Sequence, residues 1–429
     1  MYTLDILNRL SEINEDKDIK ALSHAIFPGT HCPLFGVALT ASYIENMVLV
    51  VVGTSECTYY TKTFAHSRQE GKDKVYSLAF EEKDVVFGAI NKVEKAVKEI
   101  IDIESPDAVM IVTTCVPELI GEDYSSIEYS LNENIDVPVF VVNTEHYKCN
   151  SHIPGMSRAL KSLSSVMRKS EISEGINILG HRQKNVENTE LLKILSENNI
   201  KTNSVIPSKC KLEDIKNATN SKLNIVTDMI ALDLAKDMKK KFGIDYIYFD
   251  KNMKKSIIKE NYKKLSEILD LDIEELLEEK EKEYDKLLLE CRSILNSKKL
   301  IYGNTPMAAL ETVDFLSDLG LEPVFVQLRE LYDQDIEFKE SLLEKGFNPY
   351  ITRIANIAPL RSLYDTIGAD IYVGHESPIL LKEKGLLQIT FDSHAQKIGY
   401  ELPISIMKDL IKLFSFEGET KGGMMYATM

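Results

Sequence analysis

The sequence AVMIVTTCVPELIGED at residues 108–123 is an apolar run that stops at Thr113 and continues into Cys115 and Pro117. A short apolar run bounded by turn residues is typical of a buried strand in a parallel sheet. In open α/β sheets, the carboxyl ends of such strands line the ligand crevice. The sequence therefore predicts an α/β fold with Cys115 at the edge of a sheet where ligands bind.

Two further cysteines occupy similar positions upstream. The run MVLVVV at residues 47–52 predicts another buried strand, and GTSEC follows it with Cys57 at its end. Cys32 lies in the loop FPGTHCPLFG, just before a helical pattern. Cys32, Cys57 and Cys115 therefore form a candidate constellation of thiols.

A fourth cysteine also follows a predicted strand. The run VPVFVV at residues 137–142 precedes EHYKCN, which ends with Cys149 and Asn150. Cys149 lies close in sequence to His146 and His152. It is a candidate reserve ligand or a wall of a substrate cavity, and a plain buried thiol is the alternative.

Length and composition limit the class of protein. A chain of 429 residues with 44% apolar residues predicts two or three domains. Its 51 basic and 67 acidic residues give a formal charge of −16, which disfavours binding to nucleic acid or an anionic membrane. The N-terminal sequence lacks a signal-peptide pattern, and no apolar run is long enough to span a membrane. The cytoplasm is the expected compartment, where six cysteines are thiols, metal ligands or nucleophiles rather than disulfides.

The alternation of strand and helix patterns predicts three Rossmann-like domains with parallel sheets, at residues 1–168, 169–297 and 298–429. Helical periodicity covers residues 85–101, and residues 269–289 form a charged helix that is either solvated or a docking face. The third domain opens with a strand and a helix capped by Asn304 or Thr305. Neither a dinucleotide fingerprint nor a Walker motif follows any predicted strand.

The three cysteines and their surroundings resemble the subunits of nitrogenase component 1 and its relatives. The motif TTCVPELIGED carries most of this resemblance, together with Cys32 in its Pro-Gly loop and Cys57 in GTSEC. The segments KKLIYGNTPMAALETVDFLSDLGLEPVFV and DIYVGHESPILLKEKGLLQITFDSHAQKIGYE extend it to the third domain, and the resemblance is weakest over residues 180–295. It implies three Rossmann-like domains in a nitrogenase component 1-like arrangement.

The resemblance also implies a cofactor and partners. In the family, cysteines matching Cys32, Cys57 and Cys115 hold an iron–sulfur cluster, 4Fe-4S or larger, between two homologous subunits. Clusters use soft thiolate ligands and usually need about four, so a partner chain would supply the remainder. That partner is a homologous subunit in an α2β2 assembly or a second copy in a homodimer. An ATP-dependent iron protein, which uses the ATP itself, would deliver electrons for a small-molecule substrate.

The remaining candidates carry less specific signals. Cys210 and Cys291 lack motif support and are expected to be buried apolar thiols. His375 and His394 both follow predicted strands, so either is a weak catalytic candidate as a proton donor. A packed or surface histidine is the alternative for both.

Departures from the nitrogenase pattern limit the functional prediction. We find no counterpart for the cysteine and histidine with which nitrogenase holds its molybdenum–iron cofactor, so dinitrogen reduction is not expected. The primary hypothesis is a subunit of a nitrogenase-like two-component reductase, an iron–sulfur oxidoreductase acting on a tetrapyrrole or other small molecule. The alternative is a non-catalytic scaffold for the maturation of a nitrogenase-type metal cofactor. A third hypothesis is a cluster-free α/β binding or transferase protein.

Overall fold

Parallel sheets flanked by helices make up the computed structural model, which confirms the predicted α/β class. It describes residues 3–24, 32–66, 74–183, 185–208, 210–249, 251–303, 305–353 and 357–417. The strands within these ranges are β1 (Asn8–Arg9), β2 (Met47–Gly53), β3 (Val75–Ala79), β4 (Ala108–Thr113), β5 (Val139–Val142), β6 (Ile176–Leu179), β7 (Thr202–Ile206), β8 (Leu223–Val226), β9 (Asp245–Tyr248), β10 (Lys298–Tyr302), β11 (Leu321–Leu328), β12 (Tyr350–Arg353), β13 (Ile371–Val373) and β14 (Leu387–Ile389).

The α-helices of the described ranges fill the connections between the strands. They are α1 (Pro33–Tyr43), α2 (Ser55–His66), α3 (Glu82–Phe87), α4 (Ile90–Glu104), α5 (Cys115–Ile120), α6 (Ser125–Asn134), α7 (Ile153–Ser162), α8 (Glu190–Glu197), α9 (Leu212–Lys216), α10 (Leu232–Phe242), α11 (Lys255–Leu269), α12 (Glu274–Leu295), α13 (Ala309–Asp318), α14 (Asp335–Glu344), α15 (Ile357–Arg361), α16 (Tyr364–Ile367), α17 (Pro378–Glu383) and α18 (Glu401–Glu417). None of the described helices is both long and apolar enough to cross a membrane.

The chain forms two compact units. The two-sheet unit comprises Gly29–Asn188 and Leu192–Asp250, and the one-sheet unit comprises Met1–Pro28, Thr189–Leu191 and Lys251–Met429. The three-domain boundaries at residues 168 and 297 stay a prediction.

The two-sheet unit contains two parallel sheets of the same topology. The first sheet has the strand order β3-β2-β4-β5, and the second has the order β7-β6-β8-β9. Every residue of β2 and β4 is buried, which explains why both strands read as continuous apolar runs. One apolar core joins residues of both sheets with α1, α7 and α10.

The one-sheet unit holds the third sheet, with the order β1-β12-β11-β10-β13-β14. All of its pairs are parallel except β1 with β12, in which Asn8 faces Ile351 and Arg9 faces Tyr350. The N-terminal strand thus extends the third sheet, whereas the sequence suggests an N-terminal domain from residue 1. A two-residue strand without an apolar run leaves no pattern that predicts its partner.

Three predicted helices differ from the observed ones. The helix predicted over residues 85–101 is divided into α3 and α4 at Gly88, which has a φ of +82°. The charged helix predicted over residues 269–289 runs over Glu274–Leu295, and its apolar face packs against α18.

The helix predicted to follow a cap at Asn304 or Thr305 begins instead at Ala309. The Thr305 hydroxyl accepts a hydrogen bond from the Met307 N–H at 3.2 Å and bonds with the Tyr302 hydroxyl. It therefore stabilises a turn before the helix rather than the helix itself. Asn304, the other predicted cap, lies outside the described residues.

Candidate functional site

Each of the three candidate cysteines lies at the start of a helix. Cys32 directly precedes α1, Cys57 lies in the first turn of α2, and Cys115 is the first residue of α5. All three thiols are free and half-buried. The loop before Cys32, residues 25–31, lies outside the described part of the chain.

Cys57 and Cys115 are brought together by the topology of the first sheet. Its order is that of a doubly wound sheet, in which the connections diverge between β2 and β4. The Thr114 N–H donates to the Val52 carbonyl at 3.0 Å, so the ends of the two strands lie side by side. Gly53 has a φ of +147°, and a Cβ there would collide with the Thr114 side chain. Glycine at position 53 therefore allows the end of β2 to lie against Thr114.

Cys32 reaches the same edge through the reversal of the chain between α1 and β2. A helix that turns back into its strand begins at the edge where that strand ends. The backbones of α1 and α7 touch at two glycines. A Cβ at Gly36 would collide with the His152 carbonyl oxygen, and a Cβ at Gly155 would collide with the Pro33 carbonyl oxygen. Cys32 lies close enough to Cys57 for the two thiolates to repel each other.

The surroundings of the thiols affect their charge in opposite ways. Burial raises the pKa of the Cys32 thiol, while hydrogen bonds from the backbone N–H groups of Phe35 and Leu34 act to lower it. The Thr54 hydroxyl donates to the Cys57 sulfur at 3.3 Å. Thiolates at the starts of α1 and α2 also face the positive ends of those helices. The N–H groups of Phe35 and Leu34 thus offset part of the cost of ionising the Cys32 thiol.

The loop after β5, residues 143–149, lies against α5. The Glu118 carboxylate accepts hydrogen bonds from the Thr144 hydroxyl at 2.8 Å and from the N–H groups of Glu145 and His146 at 3.0 and 3.2 Å. The Tyr147 side chain on this loop lies near Cys115. Partial burial and the nearness of Cys115 raise the pKa of Tyr147.

Cys149 lies at the end of the same loop. Its thiol is half-buried and contacts the Glu145 carbonyl oxygen at 3.6 Å. The structure therefore places Cys149 on the loop that covers Cys115. Its role as a reserve ligand or cavity wall stays a prediction.

The two candidate histidines belong to the one-sheet unit. His375 follows β13, and its Nε2 lies 2.8 Å from an Asp392 carboxylate oxygen on the surface. The His394 ring is 2% exposed, with Nε2 2.9 Å from an Asp409 oxygen and Nδ1 2.8 Å from the Ser405 hydroxyl. Burial and the nearby Lys397 lower the pKa of His394, so it is neutral at pH 7. This geometry favours a packed, bonded histidine at position 394.

The other two cysteines are buried in apolar surroundings. Burial raises the pKa of the Cys210 thiol far above its usual value and that of Cys291 to about 12. Thiols with such pKa values stay protonated at neutral pH. Both cysteines are buried, as the sequence predicts.

The candidate site offers three thiols as metal ligands. Among the residues that the structure describes, no group of three or more His, Cys, Asp or Glu side chains is arranged to hold one metal ion. A cluster spreads its ligands over several iron atoms, and its preferred ligand is the thiolate. The half-buried thiols of Cys32, Cys57 and Cys115 would provide such ligands.

Sequence reasoning singled out the cysteines but missed two residues around them. Glu118 lies three positions after Cys115, so helical spacing alone places both on one face of α5. This spacing could have indicated Glu118 from the sequence. No sequence pattern indicates Tyr147, because its position near Cys115 depends on how the loop after β5 folds over α5.

The chain is similar in sequence to known proteins. The chain is 27% identical over 384 residues to the nitrogenase iron-molybdenum cofactor biosynthesis protein NifE of Clostridium pasteurianum, which covers 85% of this chain and 81% of that protein. It is 26% identical over 217 residues to the nitrogenase molybdenum-iron protein alpha chain of the same organism. That match covers 48% of this chain and 41% of the other protein.

A solved structure has the same fold. "Nitrogenase Cp1 at pH 6.5" superposes with a TM-score of 0.77 at 20% identity, over 94% of this chain and 95% of that one. The family described as "Nitrogenase component 1 type Oxidoreductase" matches residues 32–414, which include all three candidate cysteines. This chain belongs to the nitrogenase component 1 type oxidoreductase family.

Proposed function

We propose that this chain is a component 1-type subunit that binds an iron–sulfur cluster through Cys32, Cys57 and Cys115 and serves as a scaffold for the maturation of a nitrogenase-type metal cofactor. The observation that supports the proposal is that Cys57 and Cys115 follow the adjacent strands β2 and β4, with Cys32 near Cys57 and all three thiols half-buried. When bound, the cluster supplies one-electron transfer at low potential. The protein supplies its ligands, hydrogen bonds to their sulfurs and a shielded setting.

The partner follows from the number of ligands. A four-iron cluster usually takes about four protein ligands, and this edge offers three cysteines. A homologous chain, or a second copy of this one, would supply the rest across an interface. Assembly would then complete the site, as the resemblance to component 1 subunits implies.

An apolar surface next to α5 suits an electron-donating partner. Phe87 at the end of α3 is 86% exposed, and Leu119 of α5 is 68% exposed. Glu122, just after α5, accepts a hydrogen bond from the Ala89 N–H, just after α3, so the ends of the two helices lie close together. Exposed large apolar side chains on neighbouring helix ends suit a contact with a partner. We propose that an ATP-dependent iron protein docks here, close to Cys115.

The names of the matched relatives favour the scaffold hypothesis over the reductase hypothesis. Several of them are iron-molybdenum cofactor biosynthesis proteins, although molybdenum-iron protein chains also match. A reductase subunit acting on a small molecule is the second candidate. The cytoplasm is the proposed compartment for either, because the proposed site needs reduced thiols.

A two-stage experiment tests the proposal. The protein is purified without oxygen, with its homologous partner if one co-purifies, and its iron and sulfide are measured beside a Cys115→Ala variant. We expect about four irons per site in the wild-type protein and a large loss in the variant, because a thiolate ligand is missing. A wild-type protein without iron after reconstitution would refute the cluster.

The second stage separates scaffold from reductase. The loaded protein is supplied with a metal–sulfur precursor and then with an acceptor subunit that lacks its cofactor. A scaffold should pass metal to the acceptor while the iron bound through Cys32, Cys57 and Cys115 stays in place. Multiple turnover of a small molecule with iron protein and ATP, without metal transfer, would favour the reductase instead.

A further inference from the structure

We infer that the outer edge of β7 binds a short extended segment of a partner protein that carries a basic side chain, and that this segment joins the second sheet as an added strand. The inference goes beyond the proposed function, because it requires no cluster. Every residue that carries it belongs to the two-sheet unit.

A groove of about 260 Å³ lies along the outer edge of β7. The strand is at the edge of the second sheet, with β6 as its neighbour, and four of its residues line the groove. Val186 and Glu187, which follow β6, form one wall. Cys210 and Asp214, which follow β7, form the other. The groove therefore occupies the place of a further strand beside β7.

The backbone of β7 offers hydrogen-bonding groups on this edge. The Ile206 carbonyl accepts a hydrogen bond from the Gly180 N–H, just after β6, at 2.7 Å. The backbone groups of Ile206 thus face β6. Because successive residues of a strand direct these groups to opposite sides, the N–H and C=O of Val205 face outward. An added strand would bond to both of them.

Two features limit the added strand to a few residues. The register of β7 against β6 shifts at Asn203, which forms a β-bulge. At the other end, Pro207 follows β7 and has no N–H to donate. Regular pairing is therefore available only over residues 204–206, which agrees with the small size of the groove.

Hydrogen bonds behind and beside the groove hold its shape. The buried Ser204 hydroxyl donates to the Asn177 side chain of β6 at 2.6 Å. The Ser208 hydroxyl donates to the Gln183 carbonyl, which joins the segments that form the two walls. A preformed groove lowers the entropic cost of binding an extended segment.

The edge strand β5 of the first sheet is covered by the chain itself. The Val139 N–H donates to the Asn132 side chain at 2.9 Å, and the Val141 N–H donates to the Glu128 carboxylate at 3.3 Å. Side chains of α6 thus occupy the outward N–H groups of β5, which blocks strand addition there. Within the described part of the chain, no side chain covers Val205 of β7 in this way.

Charge indicates the chemistry of the added segment. The two charged residues that line the groove, Glu187 and Asp214, are both acidic. One Asp214 oxygen accepts a hydrogen bond from the Lys211 N–H at 2.9 Å, which leaves the other oxygen for a ligand. A lysine or arginine side chain on the added strand would complement these carboxylates.

The test uses a fluorescein-labelled peptide of alternating valine and lysine, whose affinity for the full-length chain is measured by fluorescence anisotropy. We expect saturable binding to the wild-type protein. Val205→Pro should lose binding, because the outward N–H is removed, and Val205→Thr should bind as the wild type does, because it keeps that N–H. The same peptide with methylated amide nitrogens should not bind, and this control does not depend on the folding of a variant.

A second pair of variants tests the charge. Asp214→Asn keeps an oxygen that can cap α9 but removes the charge, so the affinity should fall about threefold at low salt. Asp245→Asn is the matched control, since Asp245 is an exposed acid on β9, the opposite edge strand of the same sheet. The control should keep the wild-type affinity.

The outcomes separate the inference from the proposed function. The inference fails if the wild-type protein does not bind the peptide, if folded Val205→Pro binds it normally, or if Asp214→Asn and Asp245→Asn weaken binding equally. Self-association of the wild-type chain that Val205→Pro abolishes would assign the edge to a second copy instead. A protein that binds the peptide but takes up no iron would refute the proposed function alone.

Discussion

The first and third sheets share a strand arrangement but carry different chemistry at the same point. In both, the connections diverge between two neighbouring parallel strands: β2 and β4 in the first sheet, β10 and β13 in the third. The segments after β2 and β4 present Cys57 and Cys115 as half-buried thiols. The segment after β13 presents His375 and Glu376, whose polar atoms contact other groups of the protein.

Glu376 shows how the third sheet uses its polar groups. The carboxylate accepts hydrogen bonds from Arg361 at 2.6 and 3.1 Å, from the Tyr364 hydroxyl at 2.9 Å and from the Ser377 N–H at 2.7 Å. Burial acts to raise its pKa, but these bonds outweigh burial and hold the pKa below its usual value. In the third sheet these bonds hold the Glu376 carboxylate in place. The role of His375 as a proton donor stays a prediction.

The largest expected effect comes from removing a thiol in the first sheet. Cys57→Ala should lose most of the bound iron while the fold stays intact, because a half-buried thiol contributes a ligand but little packing. His375→Ala, at the corresponding place in the third sheet, should keep the iron and change the free energy of unfolding by less than about 0.5 kcal/mol. Iron analysis and urea unfolding measure the two effects.

The comparison between the sheets would fail under either of two results. Equal iron loss in Cys57→Ala and His375→Ala would place both residues at one metal site. Retention of iron in Cys57→Ala would remove Cys57 from the ligand set.

The next effect concerns a buried acid near the third sheet, Asp335 at the start of α14. Burial raises the pKa of Asp335 to about 6, from the usual 3.8. A raised carboxyl pKa favours the folded state below pH 4, and this contribution is lost as the pH rises through 6. The loss amounts to about 3 kcal/mol.

Asp335→Asn should remove this pH dependence. Its amide oxygen can still accept the hydrogen bond from the Tyr332 N–H, 2.9 Å from the carboxylate in the wild type. At pH 7 the variant should be more stable than wild type, and at pH 4 the two should be alike, as measured by urea unfolding. Asp333→Asn, at an exposed position, is the control. Parallel pH profiles of wild type and Asp335→Asn would contradict the assignment.

The smallest of these effects tests whether Glu376 is structural. Glu376→Gln keeps the shape of the side chain but removes the negative charge that accepts hydrogen bonds from Arg361 and Tyr364. The free energy of unfolding should fall by about 2 kcal/mol at neutral pH. The melting temperature should fall while the iron content stays unchanged. Glu383→Gln, at an exposed position on α17, should leave both unchanged. Loss of iron in Glu376→Gln without loss of stability would assign a functional role to the third sheet.

The thiol positions could be predicted because they depend on local patterns. The buried runs of β2 and β4 are continuous and apolar, so their ends, and the cysteines after them, are visible in the sequence. Weaker patterns misled or gave no signal. Gly88 divides a helix that periodicity alone extends, and the polar edge strand β7 gives no apolar run.

The α/β class, the positions of the main strands along the chain and the residue types at their ends can be derived from the sequence, because burial on both faces of a parallel sheet imposes long apolar runs. Which polar groups form internal hydrogen bonds depends on contacts between distant segments. Glu376 and His394 follow strands as the cysteines do, yet each has hydrogen-bond partners that lie 11 to 15 residues away along the chain. The position of Tyr147 near Cys115 likewise depends on the loop after β5, which Glu118 holds against α5.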